Sequence, residues 1–196
     1  VRALERLSES DVQFTYAINW VARNDNIDDL PRLLNFAMGY GAKFINVVCN
    51  KITHDGEIES PLNKHNYQKL IHIIQENGNR FTIQNCFGML WAQFIPNDQI
   101  SQGGCPAGIR ACGVNVDGDY FPCTHLNYVE SHPSIMDYWK NSSTLSVLRS
   151  TSKHITGGKC ETCVKYKNCR FCHAISLDTY HNLNQGVSSC ALYENM

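Results

Sequence analysis

Cys160-Glu161-Thr162-Cys163-Val164-Lys165-Tyr166-Lys167-Asn168-Cys169-Arg170-Phe171-Cys172 sets two Cys-x-x-Cys pairs almost side by side. With Cys105, Cys112 and Cys123 upstream and Cys190 downstream, this region holds eight of the chain's ten cysteines. A tight turn between paired cysteines lets two thiolates converge on one centre, and thiolates are the ligands of tetrahedral zinc and of iron–sulfur clusters. Eight thiolates match two four-ligand sites. Three chemistries compete for such spacings: disulfides, structural zinc and iron–sulfur clusters. Disulfides need an oxidising compartment, whereas close Cys-x-x-Cys pairs in an intracellular protein read as metal or redox sites.

Composition narrows the class. The chain has 196 residues, 43% of them hydrophobic, enough to bury one full core or two small ones. A net charge of −1 gives no basic footprint for nucleic acid and no polybasic patch for a membrane. The longest apolar stretches, Phe44 to Cys49 and Phe87 to Trp91, are too short to span a bilayer, and no positively charged region precedes an apolar run. The expectation is a soluble, cytoplasmic protein. The chain opens on Val1 and its first methionine is Met38, so we read it as a segment of something longer.

Upstream of the cysteines the pattern alternates strand and helix. Val1, Leu4 and Leu7 fall at helical spacing, as in the end of an amphipathic helix. Val12 to Val21 is rich in β-branched and aromatic residues and reads as a strand, ended by the polar run Arg23 to Asn26. Pro31 fits only the first turn of a helix, which places a helix start near Asp28; its apolar face is Leu30, Leu33, Leu34, Ala37 and Met38, with Gly39 and Gly41 as the stop. Lys43 to Asn50 is a second strand. A helix from Asn63 follows, with Tyr67, Leu70, Ile71 and Ile74 on one face and Gly78 closing it, and Arg80 to Gln84 gives a third strand. Short connections and nearly continuous apolar strands argue for a parallel sheet covered by helices. Three strands leave an edge open, so the segment reads as part of a larger sheet or barrel.

Phe87 to Ile95 is an apolar link carrying Trp91 and Phe94, and Pro96-Asn97-Asp98 marks a boundary. Beyond it, Val114 to Pro122 alternates apolar and polar residues about Asp117-Gly118, the signal of a two-residue hairpin presenting Cys123 beside Cys105. Ile135 to Leu148 reads as helical in parts. Cys49 and Cys86 lie at strand ends and read as small buried apolar side chains. Asp11, Asp117 and Asp178 read as loop or cap residues, and no general base announces itself.

The ordered run of Cys105, Gly118 with four residues between it and Cys123, Cys160-x2-Cys163-x5-Cys169 and two further cysteines resembles the SPASM domain, the auxiliary-cluster module at the C-terminus of radical SAM enzymes. The resemblance covers about residues 103 to 193. The strand ending near Asn24, the stretch Gly39 to Asn50 and the Asn63 helix are similar to the second half of the partial (β/α)6 barrel of the same enzymes. The fold so implied is α/β: residues 1–96 as the C-terminal half of a partial (β/α)6 barrel, and residues 97–196 as a small cysteine-rich SPASM domain with a β-hairpin and short helices. The resemblance implies two auxiliary [4Fe–4S] clusters, the first held by Cys105, Cys112, Cys123 and Cys172, the second by Cys160, Cys163, Cys169 and Cys190. Cys112 matches a ligand present in only some members. The family usually has three residues between the positions of Cys169 and Cys172; here there are only Arg170 and Phe171, and His173 directly after them offers an alternative ligand.

What the family implies for activity is a parent oxidoreductase that cleaves S-adenosylmethionine to a 5′-deoxyadenosyl radical, which abstracts a hydrogen atom from a peptide or protein side chain. Auxiliary clusters then relay electrons from or to an external donor, or position substrate. Cross-linking, thioether formation, epimerisation and oxidation of ribosomally made peptides all fit. The Cys-x3-Cys-x2-Cys motif of the S-adenosylmethionine-cleaving cluster is absent from this sequence, so that third [4Fe–4S] cluster and S-adenosylmethionine are expected in a preceding half, and this segment alone is expected to be inactive. Two other readings use the same cysteines: a zinc-stabilised peptide-binding module without catalysis, and an electron-transfer iron–sulfur domain.

Overall fold

The fold is a computed structural model describing residues 2–10, 15–50, 62–94, 104–126, 128–151, 160–169, 171–180 and 182–186. It divides into two compact units, one from the described residues of 2–50 and 62–84, the other from those of 85–186. Among the described residues no helix is long and apolar enough to cross a membrane.

In the first unit, three strands, β1 (Ala17–Ala22), β2 (Phe44–Cys49) and β3 (Phe81–Ile83), lie in that order and are all parallel. Helix α1 (Arg2–Ser8) precedes them and buries no residue. A parallel pair needs a crossover, and α2 (Leu30–Gly39) and α3 (Lys64–Asn77) supply the two required here. Pro31 sits in the first turn of α2, where its missing N–H costs no hydrogen bond. The Asn63 side chain caps α3 by accepting from the Asn66 amide at 2.9 Å, and Gly78, at φ +42°, closes it. Asn24 ties the loop after β1 to that helix start, its side chain accepting from the Asn63 amide at 2.8 Å and its carbonyl from the Asn66 side chain at 2.9 Å.

Alternation along β2 sorts the two faces of the sheet. Ile45, Val47 and Cys49 are buried, as are Leu30, Leu34 and Ala37 of α2 and Tyr67, Leu70, Ile73 and Ile74 of α3. Leu33, Met38 and Ile71, expected on the apolar faces, are only half-buried, and Ile73 is buried beside Ile74. Asn46, between Ile45 and Val47, donates to the Asn19 side chain at 3.0 Å and accepts from the Thr82 hydroxyl at 3.1 Å, so a polar row crosses all three strands in register.

The second unit is built from short pieces. They are α4 (Gly88–Phe94), β4 (Gly113–Val114), β5 (Tyr120–Phe121), α5 (Ile135–Asn141), α6 (Ser143–Thr151), α7 (Tyr166–Cys169) and α8 (His173–Tyr180). The apolar segment from Phe87, read from sequence as a link, is therefore helical over most of its length. The hairpin pairs Gly113 with Phe121 and Val114 with Tyr120, which leaves Asn115 to Asp119 as a five-residue loop rather than a two-residue turn. The reason is Asn115, whose side chain accepts the amides of Asp117 at 3.0 Å and Asp119 at 2.8 Å, while Gly118 supplies φ +88°.

A charged cluster fastens the hairpin to the helices. Glu130 pairs by backbone with Tyr120, while its carboxylate accepts from the Thr144 amide and the Ser142 hydroxyl, each at 3.0 Å, at the N-terminus of α6. His132 places one ring nitrogen 2.8 Å from Glu130 and the other 2.8 Å from Asp137 of α5, an arrangement that only the imidazolium satisfies on both sides. Hydrogen bonds to Glu130 and then Asp137 raise the His132 pKa. Burial pushes the Glu130 carboxyl upward, but the hydrogen bonds from Thr144, His132 and Ser142 outweigh it and bring its pKa down to about 2.

The two shifts bound a stability window. The contribution of Glu130 is full above its ordinary value of 4.5 and is lost as pH falls towards about 2. That of His132 is full below its ordinary value of 6.5 and is lost as pH rises through its raised value. Denaturant midpoints measured across pH should therefore be highest between those limits, and His132→Gln should flatten the alkaline decline. Parallel alkaline declines in the two proteins would show that the cluster carries no such linkage.

Candidate metal centres

Five described cysteines of the second unit belong to two apolar clusters, Cys105 with Cys112 and Cys123 in one and Cys160 with Cys169 in the other, and the sorting begins with the backbone. The Gly104 amide donates to the Asn85 carbonyl at 3.1 Å, which lays the segment leading to Cys105 alongside the one leading to Cys86. The Pro106 carbonyl then gathers the amides of Ile109, Arg110 and Ala111 at 2.9 to 3.1 Å, turning the chain sharply before Cys112. The hairpin returns it through β5 to Cys123, whose sulfur accepts from the His125 amide at 3.5 Å. Cys112 and Cys123 pack against the core that contains Cys105, Ala107, Leu126, Tyr138, Leu145 and Leu148.

These thiols surround a space. A cavity of about 270 Å3 is lined by Cys86, Cys112 and Cys123 together with Pro106, Ala107, Phe121 and Thr124. Cys105 is 6% exposed. Burial, followed by the neighbouring Cys172 thiol, pushes its pKa up to about 12; backbone hydrogen bonds from Ala107 and His173 pull the other way, and Cys86 pushes up again. Five sulfurs are thus within mutual electrostatic reach or share one cavity wall. Among the described residues no three His, Cys, Asp or Glu side chains are close enough together to hold a single metal ion.

Cys160 and Cys169 form the second group, buried with Ala92 and Phe171. The Cys163 amide donates to the Cys160 carbonyl at 3.3 Å, closing the first Cys-x-x-Cys turn, and the Cys169 amide donates to the Lys165 carbonyl at 2.9 Å in α7. Two glycines shape this group. A Cβ on Gly186, which has φ +80°, would lie 2.5 Å from the Cys160 sulfur, and a Cβ on Gly88 would lie 1.9 Å from the Cys169 carbonyl oxygen. Cys190 lies outside the described residues.

Between the groups the chain changes sides within two residues. Phe171 is buried with Cys160 and Cys169, whereas Cys172 sits beside Cys105. Cys172 thus acts on the Cys105 thiol although its neighbour Phe171 packs with Cys160 and Cys169. His173 is buried, its Nδ1 donating to the Leu183 carbonyl at 2.9 Å, and burial lowers its pKa. That hydrogen bond pins the ring to the chain after α8, and its backbone serves Cys105.

Sequence reasoning missed one residue. Cys86, read as an apolar side chain at a strand end, is half-buried and lines the cavity with Cys112 and Cys123. No spacing rule marks it, because it reaches the site through the Asn85–Gly104 hydrogen bond rather than through a turn of its own. Cys49 is buried, as expected.

The donor set suits iron–sulfur chemistry. The cavity brings three soft sulfur donors, Cys86, Cys112 and Cys123, around a space larger than one ion needs, with a glycine cradle beside Cys160 in the second group. No residue set in this chain fits the cluster that cleaves S-adenosylmethionine, whose Cys-x3-Cys-x2-Cys motif is absent from the sequence.

The packing around Gly88 gives a paired test. Gly88→Ala drives a methyl into the Cys169 carbonyl and should destabilise the chain by ~1–3 kcal/mol. Gly39→Ala at the end of α2 meets nothing within 4 Å and should be neutral or stabilising by up to ~1 kcal/mol. Equal denaturant midpoints for the two variants would contradict the close approach of α4 and α7.

No family model and no curated protein sequence matches the chain. Solved structures do. SuiB from Streptococcus suis bound to precursor peptide SuiA matches with a TM-score of 0.71 at 17% identity, over 97% of this chain and 47% of its own. SuiB without that peptide gives 0.70 at 17% identity, over 96% of this chain and 48% of its own. Polyhistidine-tagged anSMEcpe with bound AdoMet gives 0.64 at 16% identity, over 98% of this chain and 54% of its own. The chain thus spans about half the length of the structures it matches, and over that half it has the α/β, cysteine-rich fold of the radical SAM/SPASM enzymes SuiB and anSMEcpe.

Proposed function

We propose that this chain is the C-terminal portion of a radical SAM/SPASM enzyme that modifies a peptide or protein side chain by 5′-deoxyadenosyl-radical hydrogen abstraction. On this reading residues 1–96 are the closing part of a partial (β/α)6 barrel and residues 97–196 the auxiliary-cluster domain. The observation that carries it is the placing of Cys105, Cys112 and Cys123 in one apolar cluster and of Cys160 and Cys169 in another, within a fold that matches SuiB over 97% of this chain. That SuiB was solved with a precursor peptide supports a peptide as the substrate class. A cytoplasmic location and an external electron donor complete the reading, with neither nucleic acid nor membrane as partner.

The chain's own residues do the holding. Cys105, Cys112, Cys123 and Cys172 would ligate one [4Fe–4S] cluster, and Cys160, Cys163, Cys169 and Cys190 the other. When bound, such clusters accept or pass on single electrons, at potentials set by burial and by hydrogen bonds to sulfur. Here the backbone hydrogen bonds from Ala107 and His173 reach Cys105, and the His125 amide reaches Cys123. The apolar residues Ala107, Phe121 and Pro122 line the cavity and limit water around the sulfurs.

Iron and acid-labile sulfide per chain on anaerobically purified protein, with Mössbauer spectra, test this directly. About eight of each is expected, the content of two [4Fe–4S] clusters. Cys123→Ala and Cys163→Ala should each remove about half and leave the rest. Zinc without sulfide would overturn the reading in favour of a structural peptide-docking module. Loss of all iron in either variant would overturn the division into two independent sites.

A further inference from the structure

The first cysteine group contains one thiol more than a four-iron cluster has irons. Cys86, Cys112 and Cys123 line one cavity together with Pro106, and Cys105, next to Pro106 in sequence, and Cys172 are buried. An apolar packing role does not account for Cys86. It is half-buried and packs with neither the Cys105 core nor the Cys160–Cys169 core, and its neighbour Phe87 is the residue that is buried. The Asn85–Gly104 hydrogen bond fixes its place, because pairing the residues just before Cys86 and Cys105 brings the two cysteines to the same side of the site.

We propose that Cys86 is a fifth thiolate donor to the first cluster and that it shares one iron with Cys112. The inference rests on the cluster reading above. Redundancy falls on these two by elimination among the five. Cys105 and Cys172 are the most deeply buried of the five, at 6% and 4% exposure, so the packing around them holds them in place. Cys123 is braced by the hairpin, and its sulfur already accepts a backbone amide, the preorganisation of a permanent ligand. Cys86 and Cys112 are both half-buried on the cavity wall, one on the segment after β3 and the other on the turn before β4. Whichever thiolate holds the iron, the other stands within the same cavity, so the cluster keeps four protein ligands through an exchange of one for the other.

Iron and sulfide analysis of Cys86→Ala, Cys112→Ala and the double variant, all loaded anaerobically, tests the sharing. Each single variant should keep about eight iron per chain and the double variant should lose part or all of the first cluster, falling to about seven or fewer. A second readout does not depend on the variants folding: brief alkylation of the loaded wild-type chain followed by mass spectrometry. Label divided between Cys86 and Cys112, with Cys105, Cys123 and Cys172 protected, is expected. Cys112→Ala falling as far as the double variant, a double variant that keeps full iron, or label confined to Cys86 would each overturn the proposal while leaving two clusters in place. Zinc without sulfide in the wild type would instead overturn the cluster reading itself.

Discussion

Cys105 is buried against Cys172, and two thiols enclosed together cannot both ionise unless something positive lies between them. Thiolate is the ligating form, so a site in which burial holds the thiol protonated couples metal uptake to proton release and leaves the protein's own electrostatics unfavourable until a cation arrives. The backbone amides aimed at Cys105 and Cys123 reduce that cost without removing it.

A unit of this size cannot rely on a large apolar core. Its two buried clusters contain cysteines among their members, so the residues that would ligate metal also do the packing. Polar clamps make up the difference. Glu130, His132 and Asp137 join hairpin to helices, and Arg149 donates to the Gly108 carbonyl at 2.7 Å while lying 4.7 Å from the centre of the Trp139 ring. Gly108, at φ +70°, lies with its Cβ position 3.3 Å from Leu145, so the turn that aims Cys112 is also the turn that seats on α6.

The first unit was legible in the sequence because local and global signals agree there. Pro31, Asn63 and Gly78 mark helix ends by mechanisms that need no tertiary partner, and the apolar strands read as buried in a parallel sheet. The second unit was legible only where spacing encodes chemistry. Cysteine spacing predicts grouping, but Cys86 enters through a hydrogen bond between residues 19 apart, Asn85 and Gly104, which no local pattern reports. The hairpin was foreseen and its loop was not, because Asn115 closes the loop with its side chain and so displaces the turn that Asp117-Gly118 would form alone. Helix α4 was masked by its composition: a seven-residue apolar run has too few turns to show helical periodicity.

The short spacing between Cys169 and Cys172 follows from the same economy. α7 ends at Cys169, and Phe171 and Cys172 lie outside any helix before α8 begins at His173. Where a chain is not helical, neighbouring side chains can point to opposite sides, so Phe171 can fill the core of Cys160 and Cys169 while Cys172 reaches Cys105. A third intervening residue is unnecessary. His173 then starts a new helix with its ring held by the Leu183 carbonyl, and this anchors the crossing immediately after it is made.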